Sequence, residues 1–147
     1  MQEISHGDRW MVRLDPGEEI FDSLGRFARS HGIRAGVVVQ GIGAVSSATV
    51  GYWNGREYAP RELTVRHELV ALHGSIAEGD SAPSLHLHAA LAGPDYQVVG
   101  GHLLKATIGI IGELWIENLT GLRFARPLDE SLGLRRLDLH PGSSPSV

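Results

Sequence analysis

One stretch near the start of the chain carries a helical period, and the texture after it is that of β-strands. Apolar residues recur at Ile20, Phe21, Leu24, Phe27 and Ala28, a single stripe along one helical face. Asp15 is placed to cap that helix, Pro16 fits its first turn, and Glu18 stands three residues after the cap, as in a capping box. Gly32, after Ser30 and His31, supplies the left-handed stop. The pattern predicts a helix over about residues 16–31.

Ala35–Gln40 reads as a buried strand and Val45–Trp53 as a second, closed by the turn pair Asn54-Gly55. Leu63–Ser75 is a third. Leu85–Leu91 and Tyr96–Leu103 form an expected hairpin around Gly93-Pro94-Asp95, and Thr107–Leu119 is the last strand. Gly109 and Gly112 inside it suggest a bulge or a close backbone approach. One helix followed by strands without regular alternation predicts an α+β domain with a mostly antiparallel sheet. The 19 glycines suit a sheet that bends strongly.

A length of 147 residues fits one domain, expected over 1–137, with 138–147 as a flexible tail. There is no cysteine, which removes disulfides, thiolate metal sites and thiol nucleophiles and suits a reducing compartment. Met1–His6 has neither the basic start nor the apolar run of a secretory signal. No stretch reaches the ~18 apolar residues of a membrane span, so a cytoplasmic location is expected. The net charge is −4 and Lys105 is the sole lysine, a poor footprint for nucleic acid.

The chemistry concentrates in histidine, of which the chain has 8. In Ser84-Leu85-His86-Leu87-His88-Ala89, strand alternation sends His86 and His88 to one face and the leucines to the other. His102 follows in Gly100-Gly101-His102-Leu103, past the expected turn. A hairpin centred on Pro94 pairs position 86 with position 102, and paired residues share a face with Cβ atoms about 5 Å apart. Gly100 and Gly101 would leave room beside the rings. Three neutral imidazoles at ~2.0–2.1 Å suit zinc or another divalent transition metal, with a fourth position left open. Glu68 and Glu113, each on an expected strand, are the candidate acids for proton transfer or for the outer shell. A lone strand histidine is more often a hydrogen-bonded structural residue; His67 and His73, six apart, share a face on a regular strand but lack a third partner. His31 is explained by the helix C-terminus. Gly41-Ile42-Gly43-Ala44 lacks the context of a dinucleotide loop and marks a tight bend.

Gly41-Ile42-Gly43-Ala44-Val45, His67-Glu68-Leu69-Val70-Ala71-Leu72-His73-Gly74-Ser75-Ile76, His86-Leu87-His88 and Gly100-Gly101-His102-Leu103 together resemble the plants-and-prokaryotes conserved (PPC) domain. The resemblance runs in order from about Asp8 to Leu137. It implies a compact α+β domain, a homotrimer, and a metal site on His86, His88 and His102, with Glu113 at the family's acidic position on the next strand. The AT-hook of the plant proteins is missing: Ala125-Arg126-Pro127 is not an Arg-Gly-Arg-Pro sequence. The ligand pattern and architecture are also similar to those of acetolactate decarboxylase, an analogy that does not carry activity.

Three functions compete on these grounds. The first is a metal-binding domain that takes a small polar or carboxylate ligand. The second is a metal-dependent enzyme acting on a carbonyl or carboxylate compound. The third is a DNA-associated protein acting through its trimer surface, which the acidic balance places last. A cupin would need an acid soon after the His-x-His pair, and Ala89-Ala90-Leu91-Ala92 offers none.

Overall fold

The computed structural model describes residues 1–141. In chain order it contains β1 (Gln2–His6), β2 (Arg9–Leu14), α1 (Ile20–Ser30), β3 (Ala35–Trp53), β4 (Tyr58–Leu63), β5 (His67–Ala77), β6 (Ser84–Ala92), β7 (Val98–Asn118), β8 (Leu122–Ala125), β9 (Leu128–Asp129), β10 (Leu134–Arg135) and β11 (Asp138–Pro141). The main sheet runs β1-β2-β7-β6-β5-β3-β4, and β3 also pairs with β7, so the circuit β7–β6–β5–β3 closes on itself. Every pairing in it is antiparallel. The expected α+β class with a strongly bent antiparallel sheet is what the chain adopts.

β3 and β7 hold 19 and 21 residues. At ~3.3 Å per residue, neither could stay straight inside a domain of this size. They bend, so one half of each strand serves one set of neighbours and the other half another. The sequence pattern divides β3 at Gly41–Ala44 and β7 at Leu104–Ala106; the structure runs through both. Gly43 sits at the crossing of β3 and β7 with φ +148, where an added Cβ would lie 2.0 Å from the Ile111 carbonyl oxygen. The glycines at 109 and 112, read as close approaches, do face backbone or side-chain atoms at under 3 Å from where a Cβ would stand.

The enclosed core is aliphatic: Leu72, Ile76, Leu87, Leu91, Leu103, Ile108, Leu114 and Ile116 are fully buried. The buried stripe of α1, Ile20, Leu24, Phe27 and Ala28, packs into the same cluster. Each such side chain contributes ~1.5–3 kcal/mol by leaving water.

The helix starts four residues later than its sequence signals suggested. Gly17 takes φ +88, which no helix continues through, and its N–H donates to the Ile108 carbonyl at 2.8 Å. Glu19 is therefore the cap in place of Asp15: one carboxylate oxygen accepts from the Asp22 N–H and the other from the Ala106 N–H. Glu18 turns back to accept from the Asp15 N–H at 2.7 Å. The C-terminus ends as expected at Gly32, φ +61, with Ile33 N donating to Ala28 O and Gly32 N to Arg29 O, a Schellman pattern.

The β1–β2 hairpin was not anticipated; its signal is the tight Gly7-Asp8 pair, with Gly7 at φ +60. The turn at Asn54-Gly55 is present, with Asn54 Oδ1 accepting from the Arg56 and Glu57 N–H groups. Of the segment 138–147 expected as a tail, Asp138–Pro141 is a strand on β8. The remainder, 142–147, lies outside the described residues. Among the described residues no helix is long and apolar enough to cross a membrane.

Candidate metal centre

β6 alternates as its sequence dictates: Leu87 is completely buried, whereas His86 is half-buried and His88 exposed on the outer face of the closed sheet. β7 delivers His102 directly opposite His88. One nitrogen from each of His86, His88 and His102 lies within 4.8 Å of the other two, with ring centroids 4.9 to 5.3 Å apart. The Nε2 atoms of His86 and His88 stand 3.2 Å from each other. Nitrogens bound to one tetrahedral zinc at ~2.0–2.1 Å lie roughly 3.3 Å apart, so this pair already has the spacing an ion requires. His102 Nδ1 is buried with no hydrogen-bond partner among the described residues.

The hairpin register differs from the expected one by a full pair: His102 lies opposite His88, not His86. The last rung is Ala92–Val98, which leaves a loop of residues 93–97 centred on Asp95. Tyr96 enters the left-handed region at φ 62, its N–H donates to Gly93 O, and Asp95 Oδ1 accepts from the Gln97 N–H. The shift of an even number of residues preserves the face, and the rings still meet. Gly100 and Gly101 do not leave room for the ion. A Cβ on Gly100 would meet the Ala89 carbonyl oxygen at 2.4 Å, and one on Gly101 would meet that of Gly51 at 2.8 Å. These glycines let three backbones close together behind the site.

Three residues absent from the sequence reading frame the rings. Tyr58, from β4, stacks on His102 with centroids 4.4 Å apart and planes inclined by 23°. Ser75, opposite His86 on β5, accepts from Arg126 Nη2. Arg126 itself, just past β8, is 8% exposed and brings Nη1 to 3.4 Å from His86 Nδ1. Burial, then Arg126 and the neighbouring rings, pushes His86 down to about 4. Burial, then His88 and Arg126, lowers His102 as well. Both effects favour the neutral imidazole, the form that binds metals.

The other candidates stand apart. Glu68 is exposed on β5 opposite Ala92, and Glu113 is exposed on β7 between Arg13 and Ile42. Neither belongs to the group that the three imidazoles form. A bulge between Leu69 and Ala71 reverses the parity of β5, so His67 is buried and donates Nδ1–H to Val65 O, whereas His73 faces outward opposite His88 and donates Nδ1–H to Val39 O. His31 closes α1, with Nε2 at 2.7 Å from Glu3 Oε1 and its ring 4.0 Å from that of Trp10.

Solved structures share this architecture. A metal-containing protein from Archaeoglobus fulgidus superposes with a TM-score of 0.81 at 35% identity, over 87% of this chain and 91% of that one. A protein from Bacteroides thetaiotaomicron, described as a candidate DNA-binding protein, gives 0.87 at 29% identity over 93% and 96%. A Staphylococcus aureus protein similar to α-acetolactate decarboxylase gives 0.50 at 14% identity over 75% and 52%, a likeness of fold alone. Among curated proteins, the bifunctional protein GlmU of a Synechococcus strain is 33% identical over 130 residues, 88% of this chain. The chain spans about one fifth of that relative's length, 20%. The family model of the Plants and Prokaryotes Conserved (PCC) domain matches residues 1–120, and the chain belongs to that family.

Proposed function

We propose that the chain binds one divalent transition metal, zinc foremost, through His86, His88 and His102, and offers the open coordination position to a small polar or carboxylate ligand. The observation that carries this reading is the 3.2 Å separation of two Nε2 atoms with a third imidazole nitrogen within 4.8 Å. The donor set is neutral and all-nitrogen, which suits zinc and its neighbours in the first transition row. The site lies on the outer face of the sheet, so a ligand can reach it from solvent. The metal content of the Archaeoglobus fulgidus relative supports the same reading. The check is metal analysis of purified protein beside the triple variant His86→Ala/His88→Ala/His102→Ala. About one equivalent per chain is expected in the first and none in the second; equal metal in both would end the proposal.

An enzyme acting on a carbonyl or carboxylate compound would need Glu68 or Glu113 at the ion, and neither stands with the imidazoles within one chain. A DNA-binding role finds little charge to use. The net charge is −4, and six of the 12 arginines (Arg9, Arg13, Arg26, Arg34, Arg123 and Arg136) are paired with carboxylates.

We also propose the homotrimer that the family resemblance implies. An apolar row crosses β1, β2 and β7: Ile4 lies opposite Met11, and Met11 opposite Trp115, exposed by 74%, 47% and 41%. Further copies of the chain would cover it. Light scattering should read three chains for the wild type and fewer for Met11→Glu/Trp115→Glu; a monomeric wild type would refute the assembly.

A further inference from the structure

We infer that Arg126 anchors the carboxylate of a small ligand that completes the proposed metal centre; the inference rests on that centre. Arg126 is buried, and no carboxylate among the described residues pairs with it. Its polar neighbours are neutral. Nη2 donates to Ser75 Oγ, Nη1 approaches His86 Nδ1 at 3.4 Å, and Nε is buried without any partner. A cation withdrawn from water with no counter-ion is strongly unfavourable. A lysine could escape by losing its proton; a guanidinium cannot. The fold therefore holds a positive charge that no carboxylate of the described residues touches and that an anionic ligand can satisfy.

Several of the neighbouring charges already have partners. Arg123 and Arg34 share Glu78, Arg136 holds Asp129, and Arg135 donates to the backbone oxygen of Arg126. Arg126 also lines a polar cavity of about 570 Å³ with Ser84, Arg123, Arg135 and the acidic side chains Glu78, Asp80 and Asp138, a volume in the range of small-molecule sites. The cavity and the imidazoles thus meet at this one side chain.

Metal binding sharpens the demand. Three neutral imidazoles bring no negative charge to a divalent ion, so ion and guanidinium together leave the site strongly cationic. An imidazole that gives Nε2 to an ion carries its proton on Nδ1. Nη1 then faces a donor instead of an acceptor and is released beside the free Nε. A carboxylate fits both needs: one oxygen takes the open position on the ion, and the other lies in the plane of the guanidinium fork. Arg126 lies beyond residues 1–120, the extent of the family match. The anchor is thus supplied by the segment that follows the family's shared core.

The test uses the full chain loaded with cobalt(II), whose visible absorption reports its coordination, titrated with pyruvate in a buffer free of other carboxylates and of phosphate. Saturable binding is expected in the wild type. Arg126→Gln should weaken it tenfold or more at unchanged cobalt content, and Arg126→Lys, which keeps the charge without the fork, should fall between. Equal affinity in wild type and Arg126→Gln overturns the inference, as does a wild type that ignores pyruvate. Inorganic phosphate binding more tightly than pyruvate overturns the carboxylate assignment. Cobalt content, measured separately, reads the metal centre itself. Should the wild type hold no cobalt, calorimetry of pyruvate on the metal-free chain still reads the anchor by its loss in Arg126→Gln. Arg126→Met guards against a purely structural role: its metal-free melting temperature should match or exceed that of the wild type, and a fall of about 10 °C or more (several kcal/mol for a domain of this size) overturns the inference.

Discussion

Replacing Gly43 by alanine is expected to abolish the fold, although the change adds one methyl group. Gly43 lies where β3 is paired with β5 on one side and β7 on the other, opposite both Leu69 and Gly112. Its φ of +148 disfavours any L side chain, and the new Cβ would sit 2.0 Å from the Ile111 carbonyl oxygen and 2.9 Å from its carbonyl carbon. Both obstacles are backbone, so no rotamer change relieves them. Strained φ costs on the order of 1–3 kcal/mol, and separating the two strands costs the rungs that close the barrel circuit. The sum rivals the whole stability of an ordinary domain, ~5–15 kcal/mol. Gly25→Ala is the matched control. Gly25 lies inside α1 with nothing within 4 Å of an added Cβ. There the methyl group should stabilise by about 0.5–1 kcal/mol, because glycine is the poorer helix former. Circular dichroism and thermal melts of the two variants should move in opposite directions. A Gly43→Ala protein that melts within a few degrees of the wild type would contradict the account of the crossing.

The contrast explains how much the sequence could reveal. Period and alternation are local, and they located α1, the buried strands and the shared face of His86 and His88. They could not distinguish a glycine that ends a strand from one that lets it bend against another backbone. β3 therefore reads as two strands, β7 reads as two because Leu104-Lys105-Ala106 breaks its pattern, and the closed circuit they build is invisible. The same blindness misplaced the helix cap, because the choice between Asp15 and Glu19 depends on where Ile108 and Ala106 of β7 arrive. In the site, the three imidazoles were legible because two share a strand and the third lies across one turn. Even a hairpin register misjudged by two residues keeps them together, since an even shift preserves the face. Tyr58, Ser75 and Arg126 reach the rings from β4, β5 and the segment after β8. No local pattern links them to His86. In the sequence Arg126 stands only in a segment that fails as a DNA hook, and its meaning appears once it is buried.

Zinc should raise the melting temperature of the purified chain at pH 7 by roughly 10 °C. A ligand at 1,000 times its dissociation constant adds ~4.1 kcal/mol when only the native state binds it, and 1 kcal/mol moves a domain of this size by about 2–4 °C. The triple alanine variant should show no such response. Acid should shrink the zinc effect, because protons compete for the same nitrogens. It should also weaken the metal-free fold on its own account. His86 is held down to about 4 in the folded chain against an ordinary 6.5. Between these values the unfolded chain takes up the proton and the folded chain does not, so stability is lost as pH falls from 6.5 toward 4 and is restored above 6.5. The loss should be smaller in His86→Ala, which has no ring to protonate. Denaturant titrations of both proteins from pH 7 to pH 4, without metal, measure the difference. Parallel losses in the two would remove His86 as their source, and a zinc response that persists without the three imidazoles would place the ion elsewhere on the chain.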